Sequence, residues 1–256
     1  MIRIETMYFA PVKALALAEV RQARLEKPGI AGDRAFYIID AAGALFTQRR
    51  YGPLVQVRPS YEPATGRLEL AFPGGHRAEG IPELGEPIST PFWEGRPVEG
   101  HLVMGPWSEA LSEFAGQEVR LVKAAKAGAS FDGYPLSLCS TASLQALAQA
   151  AGRDEVDGRR FRQNIYVSGA SPHEEDSWLG SEVRAGQAVL RVKQLDSRCV
   201  VTTLSPETGE TDMDTLKIIA AYRTDQPKEI NFGVYCTVIE PGEASAGDEV
   251  TPLSPS

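Results

Sequence analysis

The feature that most constrains the fold is a run of short β-prone stretches punctuated by turns, at residues 2–9, 19–25, 35–39, 55–61, 68–72 and 96–103. Stretches this short and this rich in β-branched and aromatic residues cannot bury both faces alone, so they must pair into sheets. Helix signals are few. One helix is predicted from Pro106-Trp107-Ser108 through Leu111 and Phe114 to a stop at Gly116, with proline inside its start and glycine past its end. A β-run at 119–122 then leads into the small residues 124–130, which read as a linker, and a domain boundary is predicted near residue 125.

The second half predicts a helix over 141–151, capped by Ser140 or Thr141, with Leu144, Leu147 and Ala148 on one face and Gly152 at its end. Strands are predicted at 163–168, 182–183, 188–194, 200–204 and 234–240, and a further helix at 214–222. Long helices do not alternate with these strands, which argues against a doubly wound parallel sheet and for a closed or nearly closed β-barrel with helical additions. The expectation is a mainly β (α+β) chain of two units, residues 1–124 and 125–256. At 256 residues and 43% hydrophobic content, the chain can bury two cores without covalent staples.

Cys139, Cys199 and Cys236 are far apart, odd in number and outside any C-x-x-C pair, which argues against a disulfide framework and for a reducing, cytoplasmic setting. The start, Met1-Ile2-Arg3-Ile4-Glu5, has no basic region followed by an apolar one, and no later run is apolar enough to span a bilayer. The net charge of −8 lacks the overall basic footprint of a nucleic-acid binder, though a local basic pocket remains compatible with it.

No G-x-x-x-x-G-K-[ST] loop or G-x-G-x-x-G turn occurs among the 24 glycines, which disfavours nucleotide binding through either. His76, His101 and His173 have no metal-ligand spacing and read as surface or turn residues. No G-x-S-x-G elbow appears. Glu174-Glu175-Asp176 follows Pro172-His173 and reads as a solvated loop. Cys139 and Cys236 sit in apolar patterns and read as structural.

Cys199 stands apart. It lies between two β-prone runs in Asp196-Ser197-Arg198-Cys199-Val200-Val201-Thr202-Thr203. A neighbouring cation favours the thiolate, the form that attacks electrophiles and ligates metals. Local sequence alone leaves open a buried cysteine packing as a small hydrophobe.

These motifs resemble the MOSC proteins, named for the C-terminal domain of molybdenum cofactor sulfurase, and in particular their amidoxime-reducing group. The second-half marks are Phe131-Asp132-Gly133-Tyr134-Pro135, Phe161-Arg162-Gln163-Asn164-Ile165, Glu175-Asp176-Ser177-Trp178 and Ser197-Arg198-Cys199, with Pro206-Glu207-Thr208-Gly209 following. Tyr8 with Pro11-Val12-Lys13, Gly32-Asp33-Arg34 and Thr47-Gln48-Arg49-Arg50 resemble the β-barrel-type N-terminal domain that accompanies MOSC in those reductases.

The resemblance implies a molybdenum cofactor, the metal held by Cys199 and the pterin and its phosphate by Lys13, Arg34, Arg162 and Asn164. Tyr134, Ser197 and Arg198 would line the same pocket. A soft thiolate suits molybdenum. Arginine forks and a lysine point charge suit a phosphate. Taken without the resemblance, Lys13 and Arg34 read rather as exposed surface charges, Arg162 as an ordinary ion-pair partner, Asn164 as a turn or strand-edge residue and Tyr235 as core packing. Residues 162 and 164, two apart on an expected strand, would share a face.

The family often has serine where Ala14 stands, which puts one hydroxyl contact in doubt. With no cysteine cluster for an iron–sulfur module, electrons would come from a separate flavin reductase or ferredoxin-like protein. The implied reaction is reduction of small N-hydroxylated substrates, with no nucleic-acid duplex and no membrane involved. Two other readings keep the fold: a sulfur-transfer module carrying a Cys199 persulfide, and a non-catalytic cofactor carrier.

Overall fold

The computed structural model describes residues 1–224 and 230–253. Its larger unit is a closed barrel of seven strands. Around the barrel run Ile165–Ser168, Leu136–Ser140, Asn231–Glu240, Ala188–Ser197, Glu182–Ala185, Glu249–Leu253 and Ile2–Phe9. Closure comes from Ile2–Phe9, which pairs with Glu249–Leu253 on one side and Ile165–Ser168 on the other. The barrel is fully antiparallel except where Leu136–Ser140 runs parallel to Ile165–Ser168. Parallel neighbours need a crossover, and the helix Thr141–Ala150 supplies it.

Alternation along each strand sends one face inward. Ile4, Met7, Leu136, Leu138, Ile165, Val167, Leu190, Val192 and Val234 fill the barrel, each at most 1% exposed. Each such side chain contributes roughly 1.5–3 kcal/mol by leaving water. Against the barrel sits a unit built on a five-stranded antiparallel sheet, in the order Glu83–Pro91, Pro97–Met104, Val119–Ala124, Phe36–Asp40 and Leu45–Phe46. A second sheet, Arg58–Glu62, Arg67–Ala71 and Arg77–Gly80, packs with it. The helix Trp107–Ala115 closes a core of Phe36, Ile38, Phe46, Leu54, Leu68, Leu70, Trp107, Leu111 and Leu121.

Helix ends follow the sequence closely. The Ser140 side chain accepts from the Ser143 backbone N–H at 3.1 Å, and Asp214 accepts from that of Lys217 at 3.2 Å. Gly116 ends its helix at φ 65°, in the left-handed region. Pro106 is the cap itself and not the first helical residue.

Three expectations are corrected. Residues 200–204 are not a strand: Val200–Thr203 forms a 3-10 turn. Its β-branched run is overruled because the Thr203 hydroxyl donates to the Val200 carbonyl at 2.7 Å and Thr202 donates to that of Cys199, giving the backbone a local alternative to a ladder. The strand expected from residue 163 begins at Ile165, so residues 162 and 164 do not share a strand face. Residues 55–56 belong to a 3-10 turn, Gly52–Gln56, before the strand Arg58–Glu62.

The segment 174–176 is also not a solvated loop. Glu175 is 0% exposed and accepts from Ser140 N–H and the Ser143 hydroxyl, while Arg223 pairs with Asp176 at 2.5 Å. Residues 124–130 do connect the two halves, but they are tied down: Arg96 donates to the Ala129 and Phe131 carbonyls, and Ser130 is buried. The chain crosses between the two halves here, while Ile2–Phe9 pairs into the barrel of the second half. No helix among the described residues is long and apolar enough to cross a membrane.

Candidate functional site

A cavity of about 590 Å³ lies between the two units, and every sequence-predicted site residue lines it: Lys13, Arg34, Tyr134, Arg162, Asn164, Ser197, Arg198 and Cys199. Of the three thiols, Cys199 is the exposed one; Cys139 and Cys236 are buried. Burial pushes the Cys236 thiol up to about 12 and that of Cys139 well above its ordinary value.

Cys199 reaches the cavity because the chain leaves the barrel beside it. The strand Ala188–Ser197 ends in a register shift against Asn231, and Cys199 caps the 3-10 turn that follows, its carbonyl accepting from the Thr202 N–H and hydroxyl at 3.1 Å each. Arg160, 5% exposed, holds the turn from behind by donating to the Thr202 carbonyl at 3.0 Å and pairing with Asp212. Thr202 also bonds Thr215, at the head of the helix Thr215–Tyr222, at 2.7 Å. The thiol therefore sits on a braced turn.

Arg198 is adjacent in sequence but serves a different purpose. Its guanidinium donates to the Phe232 carbonyl at 2.9 and 2.6 Å and to the Phe161 carbonyl at 2.9 Å, and pairs with Asp196. Its donors are spent on the protein. The Asn164 amide is similarly committed: it accepts from Ser137 N–H and hydroxyl, and donates to the Tyr8 carbonyl and to Asp33. At 3% exposure Asn164 stitches the two units together beneath the cavity.

The cations gather on the rest of the cavity lining. Lys13, 5% exposed, donates to the Ser130 carbonyl at 3.0 Å and to Asp132 at 2.6 Å. Arg34 pairs with buried Asp33 and lies over the Phe131 ring. Arg162 makes no ion pair among the described residues, and its Nη2 is buried without a hydrogen-bond partner. Burial and the neighbouring Arg34 lower its pKa to about 10. Burial, with Arg34 and Arg162 nearby, likewise lowers Lys13 to about 8 even though Asp132 opposes the shift. Arg34 moves the other way: burial works against its charge, but Asp33 and Asp132 outweigh it and raise the pKa.

The backbone is under tension here as well. Among the described residues five non-glycines adopt left-handed φ, and Ala14 (78°), Arg34 (50°), Glu94 (58°) and Arg162 (56°) all line this cavity. Such conformations cost of order 1–3 kcal/mol each and persist where surrounding structure enforces them, typically around functional sites. Ala14, where a serine was expected, is 1% exposed. Gln48, Arg49 and Trp93 also line the cavity, Arg49 stacking over Trp93 at 5.1 Å while the Trp93 indole N–H donates to Asp132. Sequence reading missed Trp93, which no local motif marks. A second groove, of about 680 Å³, adjoins through shared residues Gln48, Arg160, Arg162 and Val201.

An exposed thiol sharing a cavity with one buried and two half-buried cations, one with an orphaned donor, has the donor set for an anionic ligand bearing a thiophilic metal. The residues present thus fit a phosphate-bearing molybdenum cofactor.

The fold and site define a MOSC protein: residues 126–251 match the MOSC domain and residues 1–84 match the MOSC N-terminal beta barrel domain. The chain belongs to this two-domain group. Mouse mitochondrial amidoxime-reducing component 1 is 25% identical over 278 residues, covering 96% of this chain and 81% of the relative. Bovine mitochondrial amidoxime reducing component 2 is 33% identical over 127 residues, 46% of this chain and 37% of the relative. Molybdenum cofactor sulfurase of Anopheles gambiae is 26% identical over 84% of this chain, which spans 31% of that relative's length. The crystal structure of the YUAD protein from Bacillus subtilis aligns over 100% of this chain and 98% of its own, at a TM-score of 0.48 and 16% identity.

Proposed function

We propose that this protein is a molybdenum-cofactor-dependent reductase of small N-hydroxylated compounds, such as hydroxylamines, amidoximes and N-hydroxylated bases. The observation that carries the reading is that Cys199, the exposed thiol, lines one cavity with Lys13, Arg34 and Arg162, whose Nη2 has no hydrogen-bond partner among the described residues. Full-length similarity to amidoxime-reducing components supports the choice of reaction.

Cys199 would ligate the metal as a thiolate, and Arg162, Arg34 and Lys13 would hold the pterin phosphate. When bound, the cofactor supplies the two-electron exchange that N–O cleavage requires. The chain's own work is positional. Arg160 and Arg198 fix the turn that presents Cys199, Asn164 and Asp33 fix the seam between the units, and Tyr134 leans on Tyr235 at 5.7 Å to form a side wall. Arg49 and Trp93 border the cavity where a planar substrate would enter. Electrons would come from a separate flavin reductase or ferredoxin-like protein. Three free thiols suit a reducing, cytoplasmic setting.

The test is molybdenum and pterin content of wild type and Cys199→Ala after expression with molybdate in a cofactor-producing host, followed by turnover of an amidoxime with a chemical reductant. Near-stoichiometric metal and pterin in wild type, loss of metal or of its thiolate absorption in the variant, and N–O cleavage by wild type alone are expected. Wild type carrying neither metal nor pterin, but gaining the mass of one sulfur on Cys199, would replace this reading with sulfur transfer. Tight cofactor binding without turnover across donors and substrates would make the protein a carrier.

A further inference from the structure

Reducing an N-hydroxylated nitrogen consumes protons as well as electrons. The N–O bond breaks, nitrogen gains two electrons that the redox partner provides, and two protons are taken up, one turning the leaving hydroxyl into water and one bound by the nitrogen. A cavity that performs this step needs an acid, and three aspartates line or support it with different capacities to serve.

Asp33 is saturated: it accepts from the Ala10 N–H at 2.7 Å, from Arg34 and from the Asn164 amide at 3.1 Å. Asp132 is held ionised. Burial pushes its pKa up, but the Lys13 ammonium and the Trp93 N–H more than offset this and leave it below its ordinary value. Asp196 differs from both. It is 1% exposed, lines the cavity three residues before Cys199, and engages Arg198 and Gln163 through Oδ2. Its Oδ1 is buried and makes no hydrogen bond of ordinary geometry among the described residues. That oxygen can take up a proton without breaking the contacts of Oδ2.

The Tyr235 hydroxyl adjoins this carboxyl and lines the same cavity, between Asp196 and Tyr134. Burial raises Asp196 to about 6, while Arg198, Tyr235 and the more distant Arg34 hold it down and Asp132 opposes them. The Cys236 thiol faces the same carboxyl and stays protonated. Such a carboxyl can release a proton and recover it near neutral pH, the condition under which general acids work best.

Resting on the reductase reading above, we propose that Asp196 is the proton donor for N–O cleavage, with the Tyr235 hydroxyl passing the proton from its carboxyl into the cavity. Asp196 loses one proton for each it delivers and is recharged from solvent, so neither residue is consumed.

The test uses cofactor-loaded full chain, wild type, Asp196→Asn and Tyr235→Phe, with an amidoxime and a chemical reductant. Wild-type turnover should fall as pH rises through about 6, because the donor must be protonated. Asp196→Asn should keep its molybdenum and pterin, lose turnover on the order of 100-fold and lose that pH dependence. Tyr235→Phe should lose less and move the limb to higher pH, since it removes a bond that holds the Asp196 pKa down.

Infrared titration of the same proteins gives a readout independent of turnover. A carboxylic-acid band should vanish as pH rises through about 6 in wild type, be missing in Asp196→Asn and persist to higher pH in Tyr235→Phe. A loaded Asp196→Asn with wild-type turnover and pH profile would overturn the proposal while leaving the reductase intact. An unshifted profile and band in Tyr235→Phe would remove the relay, and would decide the matter if the asparagine variant failed to load. Loaded wild type that cleaves no N–O bond would overturn the reductase reading and this proposal with it.

Discussion

The two walls of the cavity use the same residue type in opposite ways. Behind Cys199, Arg160 and Arg198 spend their donors on backbone carbonyls and on Asp212 and Asp196. Elsewhere on the lining, Arg162 has no ion pair and an orphaned buried nitrogen among the described residues, and the nearby Lys13 is depressed to about 8 by burial and by like charges. Each arginine of the first group has a carboxylate partner, although Arg160 Nε also makes no hydrogen bond among the described residues, while the second group holds more positive charge than its carboxylates answer. An arginine's role is thus read from what satisfies its donors, not from its distance in sequence to a reactive group.

Four measurements test that contrast. Arg198→Ala should destabilise most, by about 3–5 kcal/mol, because it strands buried Asp196 and the carbonyls of Phe161 and Phe232. Chemical denaturation reads this directly, and a loss below a kilocalorie would mean that water replaces the guanidinium. Gly52→Ala should cost roughly 1–3 kcal/mol by overpacking. An added Cβ there would lie 2.0 Å from the Gly209 carbonyl oxygen, in the contact that joins the first unit to the loop after the Cys199 turn. Wild-type melting of that variant would show the contact to be yielding.

Lys13 tests the unsatisfied wall through pH. Its folded pKa of about 8 lies below the ordinary 10.5, so between these values the unfolded chain binds more protons and stability should rise with pH across that window. Added phosphate should move the Lys13 titration upward, readable by NMR of labelled lysine, and an unmoved titration would deny the wall an anion. Arg162→Gln should change the stability of the unloaded protein least, by under about 1 kcal/mol, since it removes a buried charge with no counter-ion. The same variant should retain less pterin after gel filtration. A strongly destabilised Arg162→Gln would place that residue with Arg198, as part of the frame.

Much of this site was legible in the sequence because motifs mark chemistry: Lys13, Arg34, Arg162 and Cys199 converge as the resemblance implied. The role of each was less legible. Asn164 and Arg198 bear the right groups for a cofactor, but their hydrogen-bond partners lie in distant segments, Tyr8 and Asp33 for one and Phe161 and Phe232 for the other. Residues 200–204 misled because β-branched side chains favour strands only where a neighbour pairs with them, and here threonine hydroxyls bond the local backbone first. The burial of Glu175 was hidden for a related reason, since the Ser140 N–H and the Ser143 hydroxyl that accommodate it lie more than thirty residues upstream. Strands such as Ile2–Phe9 and Ala188–Ser197 were found because alternation is local information, whereas the order in which they close a barrel is not.

Closure by Ile2–Phe9 also sets a timetable for the chain as it is made. This strand, made before its partners, must wait for Ile165–Ser168 and Glu249–Leu253. During that wait the intervening segments, including the five-stranded sheet and its helix, can assemble from nearer neighbours. Pairings so distant in sequence fold slowly and leave strand edges open to other chains meanwhile. The cavity between the units takes shape only after that closure, so a ligand held by both walls can be captured only once the barrel is complete.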